Sequence, residues 1–163
     1  MKKIVLTLTV CLAFAKGAPS QTIPKDLWGT WVVRRTIPTS TISCWGEKEA
    51  KKIIGTEIEY SEQRFRWKRA ITKNPDVETK TVTAQQFHEG NSGGGANSSQ
   101  VTFAQLGIKA ESVVQITIRH PSATITEATG EIPGDNVLVK DKSTIIFSVC
   151  NVYFEAERRT PPQ

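Results

Sequence analysis

Residues 137–158 read VLVKDKSTIIFSVCNVYFEAER, and this stretch decides the fold class. Residues 137–139 and 144–149 are rich in β-branched and aromatic side chains and flank the turn-forming residues 141–143 (DKS), a pattern typical of a β-hairpin. Residues 151–158 (NVYFEAER) continue the pattern after one short break. The stretch therefore predicts three consecutive antiparallel strands with short connections.

Similar strand patterns recur through the rest of the chain, and each is short and bounded by turn residues. They are residues 28–36 (WGTWVVRRT), 56–60 (TEIEY), 64–68 (RFRWK), 77–83 (VETKTVT), 112–119 (SVVQITIR) and, more weakly, 124–128 (TITEA). Turn signals at about every 10 residues suit a barrel or a sandwich. We therefore expect a mainly β protein, an antiparallel β-barrel with one or two short helices.

Helical patterns are few. Residues 46–54 (GEKEAKKII) combine helix formers with apolar residues on one side, and Gly55 follows where a glycine often ends a helix. Residues 102–106 (TFAQL) predict a helical turn that ends at Gly107. Residues 88–99 (HEGNSGGGANSS) are rich in Gly, Ser and Asn and predict a mobile loop.

The N-terminus has the pattern of a signal peptide. Lys2 and Lys3 precede an apolar run of 12 residues, 4–15 (IVLTLTVCLAFA), which ends in an A-x-A cleavage site at 13–15. A membrane-spanning helix needs roughly 20 apolar residues. We therefore expect residues 1–15 to be removed and the protein to be exported, either to the periplasm or out of the cell. An uncleaved N-terminal anchor or strand is the alternative.

The rest of the chain fits one β-barrel domain, residues 16–159, followed by a disordered tail at 160–163 (TPPQ). No later segment is long and apolar enough to span a membrane. Loss of residues 1–15 removes Lys2 and Lys3 and no acid, so the formal charge falls from +5 to +3. Because this excess is small and not concentrated, we expect no nucleic-acid partner. We also expect a monomer.

Two cysteines remain after that cleavage, Cys44 and Cys150. In an exported chain such a pair predicts one disulfide, with two buried free thiols as the alternative. A bridge that closes a loop of about 100 residues stabilises a fold by about 4.7 kcal/mol in the loop-entropy model. The pairing would also remove the thiolate that a cysteine nucleophile needs.

Residues 24–31 (PKDLWGTW) resemble the start of a lipocalin or related calycin. In that family a short helical turn leads into a G-x-W motif on the first strand, here Gly29-Thr30-Trp31, and an arginine near the end of the barrel packs over the tryptophan. Arg158 is the candidate for that arginine, since a guanidinium stacks well on an indole face. The resemblance implies a calycin-like barrel; another β-barrel or sandwich is the alternative.

Catalytic and metal-binding signals are weak. His88 and His120 are the only histidines in the sequence, and neither has the spacing of a zinc site. We expect both to be exposed turn residues, and we expect no catalytic residue, no metal and no cofactor. Glu57 and Glu59 lie on one face of a predicted strand, where we expect them to pair with the basic face of residues 64–68.

Aromatic side chains give the best indication of a binding site. The candidate ligand-binding residues are six aromatics in predicted strands: Trp31, Tyr60, Phe65, Trp67, Phe147 and Tyr153. Small barrels fill their interior with such side chains or leave a cavity for one apolar ligand. The first hypothesis is an exported lipocalin-like protein that binds a small apolar or amphipathic ligand. The alternative is a protein-interaction module with a filled barrel, such as a secreted or periplasmic hydrolase inhibitor. An enzyme with a polar cleft ranks third.

Overall fold

The computed structural model describes residues 22–39, 43–91, 101–120 and 131–159. Within these ranges the chain is mainly β, with nine antiparallel strands and two short α-helices. The expected fold class is therefore confirmed. Three predicted features lie outside the described residues: the signal peptide at 1–15, the weak strand at 124–128 and the tail at 160–163.

The strands follow the alternation of apolar and polar side chains that favours half-buried β-structure. Their bounds are β1 (Gly29–Ile37), β2 (Glu57–Ser61), β3 (Arg64–Trp67), β4 (Ala70–Lys73), β5 (Asp76–Thr83), β6 (Ser112–Arg119), β7 (Asn136–Val139), β8 (Thr144–Val149) and β9 (Val152–Arg158). Among the described strands, β4 alone goes beyond the sequence predictions, because its residues AITK do not alternate between apolar and polar.

All nine strands belong to one sheet, in the order β4-β3-β2-β1-β9-β8-β7-β6-β5. Strands that follow each other in the chain pair with each other, except β4 and β5. In addition, the first strand, β1, pairs with the last strand, β9. The sheet curls into a half-barrel with β4 and β5 at its edges. The register of β1 shifts between Val33 and Arg35, and such a bulge helps a strand to bend.

Short helical segments precede and interrupt the sheet. A 3-10 turn at Lys25–Leu27 leads into β1, which is the arrangement that the resemblance implies. Helix α1 (Glu47–Lys51) is shorter than the helix predicted at 46–54. Gly55 follows with a φ of +82°, a left-handed conformation that glycine adopts without strain. The predicted helical turn at 102–106 is also present, closed by a hydrogen bond from the Leu106 N–H to the Thr102 carbonyl.

Helix α2 (Ala84–Asn91) corrects the prediction of a loop that starts at residue 88. Residues 88–91 complete this helix, and the rest of the predicted loop lies outside the described residues. The helix begins with a reciprocal cap: the Thr83 N–H donates to the Gln86 side chain, and the Gln86 N–H donates to the Thr83 hydroxyl. This Thr-x-x-Gln capping box is a helix signal that the composition of the following residues obscures.

Apolar side chains lie on both faces of the sheet and form two separate clusters. The interior cluster fills the inside of the half-barrel and includes Trp31, Phe65 and Phe154. The outer cluster lies on the other face, where Phe87 of α2 and residues 101–108 pack on the sheet. Adjacent residues of one strand contribute to different clusters because successive side chains point to opposite faces.

Cys44 and Cys150 form the disulfide that the cysteine count predicts. Their Cα atoms lie 5.4 Å apart, and the two residues are 106 positions apart in the sequence. The bridge ties the segment before α1 to the turn between β8 and β9. Cys150 and Asn151 both have positive φ, as a two-residue hairpin turn with the right-handed strand twist requires.

Candidate functional site

The barrel interior is where the sequence predicts a ligand, and the structure brings most of the candidate residues together there. Five of the six belong to the interior cluster: Trp31, Tyr60, Phe65, Trp67 and Phe147. The sixth, Tyr153, belongs to the outer cluster. The contacts of each side chain show whether the interior is a cavity or a core.

Trp31 lies near the start of β1 with its indole fully buried. Its Nε1 donates to the Leu27 carbonyl at 2.8 Å, so the preceding 3-10 turn fixes the ring. The Arg158 guanidinium lies over the ring, with Cζ 4.1 Å from the ring centroid. The same guanidinium donates to the backbone carbonyls of Asp26 and Trp28. The stack implied by the resemblance is therefore present, and it ties the last strand to the first turn.

Tyr60 and Phe65 pack together from the two strands of the β2–β3 hairpin, with their ring centroids 5.5 Å apart. The Tyr60 hydroxyl donates to the Gly134 carbonyl at 2.7 Å, across the interior from β2. Burial raises the pKa of Tyr60 well above its ordinary value, and the charge of Asp135 adds to that effect. The hydroxyl is therefore a neutral hydrogen-bond donor already used by the protein.

The other two interior candidates, Trp67 and Phe147, also contact protein groups. The Trp67 Nε1 donates to the Thr56 hydroxyl at 3.2 Å, and the Lys68 ammonium lies 4.4 Å from the ring centroid. Phe147 stacks on Phe154 with their centroids 5.3 Å apart. Each of these rings therefore packs against protein atoms, and the indole N–H of Trp67 already has a partner.

Tyr153 points away from the interior because it neighbours Phe154 in β9. It pairs in register with Ile37 of β1, and both side chains belong to the outer cluster. Burial raises the pKa of its hydroxyl above the ordinary value. The alternation of β9 could have shown that Tyr153 and Phe154 do not share one cavity.

The interior is a packed core in the described residues. Trp31, Phe65 and Phe154 are 0% exposed. One groove of about 440 Å³ opens between β5 and α2, with Lys80, Gln86 and Phe87 in its lining. A second, of about 220 Å³, lies on the outer side of the β2–β3 hairpin. Neither groove is lined by the interior aromatics.

His120 does not lie in an exposed turn, contrary to the prediction. Its side chain is only 12% exposed. Nδ1 lies 2.6 Å from the Thr72 hydroxyl, Nε2 lies 3.4 Å from a carboxylate oxygen of Asp135, and the ring packs 5.7 Å from that of Phe65. The imidazole thus links edge strand β4 to the end of β6. The sequence does not predict this link because the partners come from distant segments.

A hydroxyl, an imidazole and a carboxylate in a row are also the groups of a nucleophile relay. Neither of the two grooves described above has Thr72 in its lining. His88, the other histidine, is half-buried in α2 rather than exposed in a turn. Within the described ranges, no three His, Cys, Asp or Glu side chains are grouped so that they could hold a metal ion.

The outer face of the β2–β3 hairpin carries the predicted acid–base pairing in part. Glu59 forms a two-pronged ion pair with Arg66 opposite it, and Arg64 lies 4.0 Å away. The hydrogen bond from Arg66 holds the pKa of the Glu59 carboxyl below its ordinary value. Glu57 pairs instead with Arg159, which follows β9. The prediction is confirmed for Glu59 and wrong for Glu57.

Glu155 of β9 is a buried charged residue on the outer side of the sheet, 8% exposed. Its carboxylate accepts two hydrogen bonds from Arg35, at 3.0 and 3.1 Å, and one from Lys140 at 3.1 Å. Burial alone would raise the pKa of this carboxyl, but the hydrogen bonds and charges of Arg35 and Lys140 outweigh burial and lower it. The three side chains join β1 and β9 to the residue that follows β7.

No protein-family model, no curated protein and no solved structure matches this chain. The curled antiparallel sheet is compatible with a lipocalin-like fold. In the part of the chain that the structure describes, no helix has both the length and the apolar character needed to cross a membrane.

Proposed function

We propose that this chain is an exported β-barrel protein that acts by binding another protein through its outer surface. The observation that carries the proposal is the filled interior, where buried aromatic rings pack on one another and have their polar atoms satisfied. Rings packed in this way leave little room for a ligand among the described residues, which favours recognition through the outer surface.

The lipocalin-like relationship remains part of this proposal. It is supported by the Gly29-Thr30-Trp31 motif, the 3-10 turn before it and the Arg158 guanidinium over the indole. Sheet topology alone supports it less, because many unrelated functions share one fold. A small apolar ligand is the second candidate function, and it would require the interior rings to move apart.

Export is supported by the bond between Cys44 and Cys150, since disulfides persist in oxidising compartments and are rare in the reducing cytoplasm. The signal-peptide pattern of residues 1–15 agrees with such a compartment. Intact mass before and after reduction tests the bond: the reduced protein gains two hydrogens. Two thiols that react with an alkylating agent without reduction would contradict it.

An exported hydrolase is the partner class that we propose to test first. A small, disulfide-bonded domain with a packed core is suited to inhibit an enzyme, because a rigid binder loses little entropy on association. The chain should be purified from its own exported fraction and examined by native mass spectrometry. A retained protein subunit supports the proposal, whereas a retained small molecule supports the carrier hypothesis instead.

The second measurement is functional. Increasing amounts of the purified protein are added to the exported hydrolases of the same source, and their glycosidase, peptidase and esterase activities are assayed. Saturable inhibition of one activity, lost when the protein is unfolded and reduced, would establish the inhibitor function. A protein that forms no complex and inhibits none of these activities would contradict the proposal.

A further inference from the structure

Strand β4 lies at one edge of the sheet that the described residues form. It pairs with β3 on one side, and in the described sheet no strand pairs with its other side. The Asn74 N–H donates to the Gln63 carbonyl at 2.8 Å, so the residues of even number here bond to β3. Because bonding alternates along an antiparallel pair, the N–H and C=O groups of Ile71 and Lys73 point to the free edge.

One side chain of β4 is both apolar and exposed to solvent. Ile71 is 54% exposed, the highest value among the large apolar side chains of the described residues. An exposed apolar residue beside unpaired backbone groups is a template for pairing with another chain. The same features occur where proteins take up an extended peptide as an added strand.

Positive charge surrounds Ile71. Lys68 and Arg69 form the β3–β4 turn, and Lys73 ends β4. None of the three pairs with a carboxylate among the residues that the structure describes. Lysine at an edge also prevents two identical edges from pairing, since their like charges repel. The charge therefore disfavours a second copy of this chain and favours an acidic partner.

The inner face of β4 holds the edge in place. Thr72 and Ala70 point to the opposite side from Ile71, and the Thr72 hydroxyl bonds to His120 at 2.6 Å. Ala70 lies opposite Trp67 of the interior cluster. A strand fixed in this way is ready to receive a partner, so it loses little further freedom on binding.

We propose that the free edge of β4 binds an extended, acidic protein segment as an additional strand. The segment would bond to the backbone of Ile71 and Lys73, set an apolar side chain beside Ile71, and place carboxylates near Lys68, Arg69 and Lys73. This inference rests on the proposed protein-binding function and names the surface that performs it.

The first test uses the full chain with its disulfide intact, labelled for amide NMR. The probes are a blocked peptide with the sequence Glu-Val-Glu-Val-Glu and its basic counterpart Lys-Val-Lys-Val-Lys. At millimolar concentration the acidic peptide is expected to shift the amide signals of Ile71 and Lys73, whereas the basic peptide is not. Equal shifts with both peptides, or none with either, would overturn the proposal.

Two matched variants sharpen this test. Lys73→Glu is expected to weaken binding of the acidic peptide by about tenfold through charge reversal. Lys109→Glu makes the same charge change at an exposed position away from β4 and should leave binding unchanged. If the two variants weaken peptide binding equally, the net charge of the protein explains the effect, and the proposed site at the β4 edge is wrong. Amide spectra that are unchanged except near the substituted residue would show that both variants fold.

Amide hydrogen exchange of the free protein tests whether a second copy of the chain, or another segment of the same chain, covers the edge of β4. Rapid exchange at Ile71 and Lys73 is expected of unpaired groups. Protection that rises with protein concentration would identify a second copy, and protection that does not would identify residues of the chain itself; either result overturns the proposal. If native mass spectrometry finds a partner that binds Lys73→Glu as tightly as the unaltered chain, the edge site fails and the protein-binding function stands.

Discussion

Arg158 of β9 stacks on Trp31 of β1, with its Cζ 4.1 Å from the centre of the indole ring. The guanidinium also donates to the carbonyls of Asp26 and Trp28, so one side chain holds the last strand, the first strand and the turn before it. The planar guanidinium of arginine can stack on the indole and donate to two carbonyls at the same time, whereas the ammonium of lysine cannot.

The replacement Arg158→Lys is therefore expected to lower the free energy of unfolding by about 2–3 kcal/mol, because it keeps the charge and loses the stack and part of the hydrogen bonding. Urea denaturation measures the change. Arg159→Lys is the control, since Arg159 makes a surface ion pair with Glu57 and should cost no more than about 0.5 kcal/mol. Equal effects at the two positions would contradict a special role for Arg158.

Glu155 predicts a dependence of stability on pH. Its pKa is lower in the folded protein than in the unfolded chain, so the ion pairs with Arg35 and Lys140 stabilise the fold above the unfolded pKa and stop doing so as pH falls through the folded pKa. At pH 7 Glu155→Gln should lower the free energy of unfolding by about 2 kcal/mol.

The difference between Glu155→Gln and the unaltered protein should begin to shrink as the pH falls below about 4, the pKa of an unfolded carboxyl, and should be lost once the pH is also below the lower folded pKa. Urea unfolding at a series of pH values measures it. A difference that stays constant down to pH 2 would show that packing, and not charge, is lost in the variant.

Two glycines allow the cost of a strained backbone conformation to be measured separately from the cost of a steric clash. Gly55 and Gly134 have similar φ values of +82° and +89°, but a Cβ on Gly55 would meet nothing within 4 Å, while one on Gly134 would come within 2.6 Å of the Tyr60 hydroxyl. Gly55→Ala should cost about 1 kcal/mol from its backbone conformation. Gly134→Ala should cost at least about 2 kcal/mol more, since Ile58 and Tyr60 must also move. Similar thermal midpoints for the two variants would contradict the Tyr60–Gly134 contact.

Phe65 tests whether the interior is a core. Its replacement by alanine should lower the free energy of unfolding by about 3–5 kcal/mol, because a fully buried ring leaves a cavity. Ile71→Ala removes an exposed side chain and should change stability by less than about 1 kcal/mol. A small effect of Phe65→Ala would indicate a ring that borders empty space, and it would restore the carrier hypothesis to first place.

Features that depend on neighbouring residues are the ones that the sequence predicts well. The hairpin at 137–149 and the strand at 112–119 follow from local alternation and turn residues, whereas the turn before Trp31 follows from the resemblance. The link from Trp31 to Arg158 follows from a resemblance, since nothing local joins the two residues. Nothing local joins the two cysteines of the disulfide either. That bond is predicted from the number of cysteines that remain after cleavage in an exported chain.

The errors have equally specific causes. Strand β4 (AITK) does not alternate between apolar and polar residues, and α2 contains one buried apolar residue, Phe87, so neither gives a clear pattern. Aromatic character alone places Tyr153 in the interior, whereas the alternation of β9 places it on the outer face. The sequence predicts an exposed turn for His120 because its partners Thr72 and Asp135 are distant along the chain and approach it only in the folded sheet.

The pairing of β1 with β9 also governs how the chain reaches its fold. The β1–β9 pair can form only after the chain between these two strands has closed into a large loop, which costs conformational entropy. Proteins dominated by such distant contacts have high contact order and fold over milliseconds to seconds. Because β1 pairs with β9, the side of the sheet that joins them is completed only after the C-terminal residues of the chain have been synthesised.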